Sequence, residues 1–156
     1  MNLPKNIVVA TDFSETSDAA IDYAVALAGL TAGSVTIVHT YEIPFIGIPD
    51  LTLLASGDFL GRIEDSARSA LEASIAARQS RGVTLRTVLR QGAAHDQINA
   101  VAEDVNADLI VIGTHGRRGL SRLLSGSVAE NVIRTATRPV LTIRAPREGE
   151  HTGATK

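Results

Sequence analysis

The sequence predicts an α/β domain, a single doubly wound parallel sheet of five strands with helices on both faces. Three observations carry that expectation. Short apolar runs alternate with segments of three- and four-residue apolar spacing along almost the whole chain. The apolar runs are nearly continuous, as in strands covered on both sides, rather than alternating. The 156 residues, 44% of them hydrophobic, suffice for one ordinary core.

The elements follow in order. Ile7-Val-Val-Ala10 is a strand that ends at Thr11-Asp12. Ser14 is placed to cap a helix in which Ala20, Tyr23, Ala24, Leu27 and Leu30 recur at helical spacing, closed by Gly33. Val35-Thr-Ile-Val-His39 is the second strand. Leu60, Ile63, Ala67, Leu71 and Ile75 mark a long second helix, stopped by Gly82. Residues 83–89 alternate only in part, which suits a third strand near a sheet edge. Ile98, Ala102 and Val105 mark a third helix, and Ala107-Asp-Leu-Ile-Val-Ile112 a buried fourth strand. An amphipathic helix over 128–136 and a last strand, Val140-Leu-Thr-Ile143 after Pro139, complete the set. No repeat or linker divides the chain, so residues 1–145 are expected to form one domain, with a polar, disordered tail over 146–156. Residues 41–59 depart from the pattern, with Pro44, Gly47, Pro49 and Gly57 among many apolar residues. They read either as a lid beside a ligand site or as a crossover packed under the second helix.

Composition narrows the function. A net charge of -2 and a pI near 6.1 give no general attraction to nucleic acid or to an acidic membrane. The mean hydropathy of +0.12 fits a globule, and the opening residues lack the apolar stretch of a signal peptide or membrane span. With no cysteine there are no disulfides, thiolate nucleophiles or Cys-ligated zinc. A cytoplasmic protein is expected.

The chemistry gathers at the carboxyl ends of two strands. After the fourth come Gly113-Thr-His-Gly116 and, nine residues on, Gly126-Ser127 before a helix. Such a connection lets backbone N–H groups approach an anion closely, while the helix N-terminus adds partial positive charge. The first strand ends in Ala10-Thr11-Asp12. Open α/β sheets bind ligands where strand order reverses. If the first and fourth strands are neighbours, Asp12 and the glycine turn share one crevice. A carboxylate for ribose hydroxyls or an adenine amine, with a phosphate-holding turn opposite, suits a nucleotide.

Each residue also has a plainer explanation. Asp12 lies two positions before Ser14, where an acid favours a helix start, and Ser127-Val-Ala-Glu130 fits a capping box. Arg117, Arg118 and Arg122 could neutralise phosphate or stay solvated. His39, His95, His115 and His151 lack metal-ligand spacing. There is no P-loop signature, no G-x-G-x-x-G after the first strand and no G-x-S-x-G. The receiver-domain aspartate is missing too, since the third strand ends Leu89-Arg90-Gln91-Gly92.

From Ile7-Val-Val-Ala-Thr-Asp-Phe-Ser14 to Arg138-Pro-Val-Leu-Thr-Ile143 the chain resembles the ATP-binding universal stress proteins. Their G-x2-G-x9-G-[ST] signature is matched at Gly113, Gly116, Gly126 and Ser127. The resemblance implies strand order 3-2-1-4-5 and ATP, with or without Mg²⁺, as the ligand. It implies that Asp12 contacts ribose beside Thr11, that Ala10 and Thr40 line the adenine pocket, and that Ile112 packs on the nucleotide. Gly113, Gly116, Gly126, Ser127 and the Val128 backbone would hold phosphates, with Arg117 beside them. Ala10 departs from the proline found there in some members. The resemblance further implies a homodimer through Val140–Ile143, an edge that would be an aggregation hazard if unpaired. The expected function is nucleotide-dependent regulation in a stress response, with no catalytic residue assigned. The alternatives are a dimeric module without nucleotide and a slow ATP hydrolase.

Overall fold

In the computed structural model, residues 3–42, 57–78, 82–114 and 128–144 are described. Nine elements alternate along the described chain: β1 (Asn6–Thr11), α1 (Glu15–Thr31), β2 (Ser34–Tyr41), α2 (Gly57–Ala76), β3 (Thr84–Gln91), α3 (Ala94–Asp104), β4 (Leu109–Gly113), α4 (Val128–Thr135) and β5 (Val140–Ile143). The sheet is parallel throughout and ordered β3-β2-β1-β4-β5. The chain therefore winds outward from β1 to β3, returns to β4 beside β1, and winds the other way. Strand order reverses between β1 and β4, as the crevice argument required.

Side-chain alternation splits the core in two. Ile7, Val9, Val35, Ile37 and Val111 pack against α1 and α2 on one face. Val8, Ala10, Val38, Ile110 and Ile112 pack against α3 and α4 on the other. Both faces of the central strands are dry, which is why β1 and β4 read as unbroken apolar runs. Each of the valines and isoleucines among them contributes about 1.5–3 kcal/mol on burial.

Helix α1 differs from its expected pattern. Its inward stripe is Ala20, Ile21, Ala24, Val25 and Ala28, while Tyr23 and Leu30 are 50% and 84% exposed. Helical spacing alone admits either stripe. The small residues win because α1 lies close across the middle of the sheet, where bulk at 20, 24 and 28 would lift it off. Strands β2 and β3 also run two residues beyond their expected ends, and β4 starts two residues late, at Leu109.

Polar contacts fix the helices and the lower rim. Arg78, just past α2, is only 8% exposed. Its Nε donates to Asp22 Oδ1 at 3.0 Å and its Nη2 to Asp18 Oδ1 at 3.3 Å, tying α2 to α1. The Tyr41 hydroxyl donates to Glu64, joining the end of β2 to α2. That bond, with burial and the Glu64 charge, raises the phenol above its ordinary value. At the opposite end of the sheet, Asp108 Oδ2 accepts the Lys5 and Asn6 N–H groups, each at 2.9 Å. These backbone bonds, Asn6 first, hold its carboxyl below the usual range.

Candidate functional site

The turn that follows β1 is built almost wholly from hydrogen bonds. Thr11 is buried, and its hydroxyl pairs with Ser17 Oγ at 3.0 Å while accepting the Phe13 N–H at 3.0 Å. Asp12 Oδ1 accepts the Ser14 N–H at 3.1 Å and the Ser14 hydroxyl at 2.5 Å. Ser14 caps α1 in a full capping box, with Ser17 in the position usually held by Glu or Gln. The helix-start explanation of Asp12 is thus realised, and it coexists with any duty toward a ligand.

Phe13 sits in this turn with φ 60°, a left-handed conformation that costs an L-residue about 1–2 kcal/mol. Its ring packs on the α1–α2 core and lies 4.3 Å, centroid to centroid, from His39. His39 Nδ1 is 2.8 Å from the Thr11 carbonyl oxygen. Nothing local in the sequence marks this role, because His39 and Thr11 are 28 positions apart. Ser14-x-x-Ser17 was the legible signal for the cap, obscured by the serine at its far end.

Strand pairing brings the β4 end to the same place. Ile7, Val8 and Val9 stand opposite Leu109, Ile110 and Val111, so Asp12 and Gly113 follow directly from adjacent strands. Ala10 and Ile112 belong to the α3–α4 core, 8% and 4% exposed. Thr40, two residues past Val38, shares that face and is half-buried. Ala10 and Thr40, which the resemblance assigns to the adenine pocket, and Ile112, which it packs on the nucleotide, therefore share one sheet face. Val128 opens α4 on that side and is exposed, with Glu130 in the first turn. Gly116, Arg117, Gly126 and Ser127 lie outside the described residues, as do Arg118, Arg122 and His115.

Gly113 has a structural reason of its own. A Cβ there would lie 2.9 Å from Thr16 Cγ2, 3.2 Å from Thr16 O and 3.3 Å from its carbonyl carbon. Glycine lets β4 approach the first turn of α1. The chain then leaves β4 through Thr114, whose N–H and hydroxyl both donate to Ile143 O, at 2.9 and 3.3 Å. On the far face an open groove of about 530 Å³ is lined by Phe13, His39, Arg62, Ile63, Ser66 and Ala67.

Among the described residues, no group of three or more His, Asp or Glu side chains could hold a metal, and no helix is long and apolar enough to cross a membrane. Among the described residues, the donor set at the crevice is a carboxylate beside small neutral side chains and a glycine. That set fits a nucleoside better than a cation.

Comparison with known proteins agrees with this fold. Universal stress protein MJ0531 of Methanocaldococcus jannaschii is 34% identical over 149 residues, covering 94% of this chain and 86% of the relative. The solved structure of MJ0577, also from M. jannaschii, superposes with a TM-score of 0.78 at 27% identity over 93% of this chain and 99% of that one. The universal stress protein of Archaeoglobus fulgidus, solved in complex with dAMP, gives 0.64 at 26% identity over 90% and 98%. Residues 4–144 match the Universal stress protein family, and the chain belongs to that family.

Proposed function

We propose that the chain binds ATP in the crevice between the ends of β1 and β4 and acts as a nucleotide-dependent regulatory homodimer in stress response. One observation carries the reading: the strand that leads into Asp12 and the strand that ends in Gly113 are hydrogen-bonded neighbours at the point where strand order reverses. The dAMP complex of the A. fulgidus relative supports an adenine nucleotide as the ligand class.

In this reading Asp12 accepts from the ribose, held by its turn, and Thr11 contributes through that turn. Ala10, Thr40 and Ile112 back the base. Gly113 and Gly116 open the phosphate approach, and Arg117, Gly126, Ser127 and the Val128 N–H bind phosphate, with Mg²⁺ as a candidate companion ion. No side chain is assigned as a catalytic base, so any hydrolysis is slow without a partner. The protein is proposed to work in the cytoplasm.

The two edges of the sheet support the dimer. Strand β3 carries exposed Arg86 and Arg90, the kind of charge that discourages edge pairing, whereas Val140–Ile143 carries none. The bonds from Ile110 and Thr114 N–H to Pro139 O and Ile143 O turn those residues toward β4. By alternation, the main-chain groups of Val140 and Thr142 face outward.

Isothermal titration with ATP tests the ligand. Saturable heat is expected, and none up to millimolar ATP refutes the proposal. Gly116→Val should abolish that heat with circular dichroism unchanged, because a branched side chain would block the phosphate approach. Mass spectrometry of the small molecule that co-purifies separates ATP from ADP and AMP. For the hydrolase alternative, loss of phosphate release in Ser127→Ala is the cleaner readout, since Gly113→Ala also disturbs α1.

A further inference from the structure

His39 lies on the opposite side of the sheet from the residues proposed to meet the base. It follows Ile37 by two positions and shares the α1–α2 face, whereas Ala10, Thr40 and Ile112 belong to the α3–α4 face. It lines the far groove together with Phe13. From there it reaches the main chain immediately before Asp12. The Thr11 carbonyl can only accept, so His39 Nδ1 carries the proton and donates to it at 2.8 Å. The imidazole also lies against the residue immediately after Asp12, the left-handed Phe13. Non-glycine residues in that conformation persist where their surroundings over-determine them, and they cluster at ligand sites. Asp12 is thus bracketed: Thr11 is held at its carbonyl, Phe13 at its ring, and Ser14 by the Asp12 carboxylate itself.

We propose that His39 is a positioning residue for the nucleotide site, locking the Thr11-Asp12-Phe13 turn from behind so that the Asp12 carboxylate is pre-set for the sugar. The inference rests on the nucleotide reading above. His39 does not touch the ligand; it lowers the ordering cost that binding would otherwise meet.

The test uses the full chain with three variants. His39→Phe keeps a ring against Phe13 and deletes the donor. His39→Gln carries its amide to the Nε2 position, away from Thr11, and serves if the Phe variant fails to fold. His39→Asn keeps an amide donor near the Nδ1 position. Amide hydrogen exchange at Phe13 and Ser14 is read on the ligand-free protein, and ATP and AMP affinities by titration. Loss of one such bond corresponds to about tenfold in either readout. His39→Phe or His39→Gln should therefore exchange about tenfold faster at both amides and bind ATP and AMP about tenfold more weakly, by the same factor. His39→Asn should recover both to within about threefold. Unchanged exchange and affinity in a folded donor-deleting variant overturn the proposal. So does a loss confined to ATP, which would put the effect at the phosphate end. Wild-type protein that binds no nucleotide refutes the ligand reading instead, and the exchange data then decide whether His39 holds the turn.

Discussion

Gly113→Ala should destabilise this protein through α1 before it affects any ligand. The added Cβ would stand 2.9 Å from Thr16 Cγ2, and 3.2 and 3.3 Å from the Thr16 carbonyl oxygen and carbon. The first contact is closer than packed carbons tolerate, and the other two are tight. Thr16 is buried and belongs to the first turn of α1, which the Ser14 and Ser17 bonds pin in place, so the helix cannot slide freely away. Overpacking of this kind costs about 1–3 kcal/mol. At about 2–4 °C per kcal/mol for a chain of this length, Tm should fall by about 2–12 °C. The cause can be isolated with Thr16→Ser, which removes the nearest atom. In a double-mutant cycle, Gly113→Ala should cost about 1 kcal/mol less in the Thr16→Ser background than in wild type. Thermal and urea unfolding, followed by circular dichroism without nucleotide, measure all four corners. A Gly113→Ala variant as stable as wild type, or a cycle with no coupling, would show that the glycine is not there for helix–strand packing.

Other perturbations reach the remaining parts of the fold. Arg78→Ala removes a buried guanidinium from Asp18 and Asp22; because both carboxylates are about half exposed, the loss should be about 1–2 kcal/mol, well under that of a fully buried pair. A melt unchanged from wild type would remove the clamp from the account of how α2 docks. Asp108→Asn probes acid stability. The native carboxyl is held below its ordinary value, so its contribution is complete above the unfolded-state pKa and is lost as pH falls through the folded one. The Tm gap between wild type and variant should be largest near neutrality and close on acidification below about pH 4; a gap that stays constant would contradict the assigned cause. Thr142→Pro deletes an outward N–H on β5 while leaving the bonds to β4, so it should yield a folded monomer by sedimentation. A variant that still sediments as a dimer places the interface elsewhere.

Much of the fold was legible because parallel sheets leave a local signature. A strand buried on both faces must be apolar at consecutive positions, and a covering helix must be apolar at every third or fourth. Residues 7–10 and 109–112 satisfied the first condition, and α2 the second, through Ala67 and Leu71. Helix α1 was legible as a helix but not as to its face, since Tyr23 and Leu30 share its period with Ala20 and Ala24. Which stripe turns inward depends on how close the sheet comes, a distance absent from the order of residues. The site divides the same way. Asp12 and Gly113 announce themselves by residue type and position after a strand. Thr16, 97 positions before Gly113, does not, and neither does His39 beneath the Thr11 carbonyl.

The sequence by itself therefore determined the alternation of elements, the apolar strands, the glycine spacing and the family resemblance, all of which are local or periodic. Tertiary structure alone decided that Gly113 must make room for α1, that His39 reaches the Thr11 carbonyl, and that His39 and Ala10 lie on opposite faces of the sheet. Those facts depend on which strands pair and in what register. Pairing between residues a hundred positions apart follows from the packing of whole layers, not from any short run of side chains.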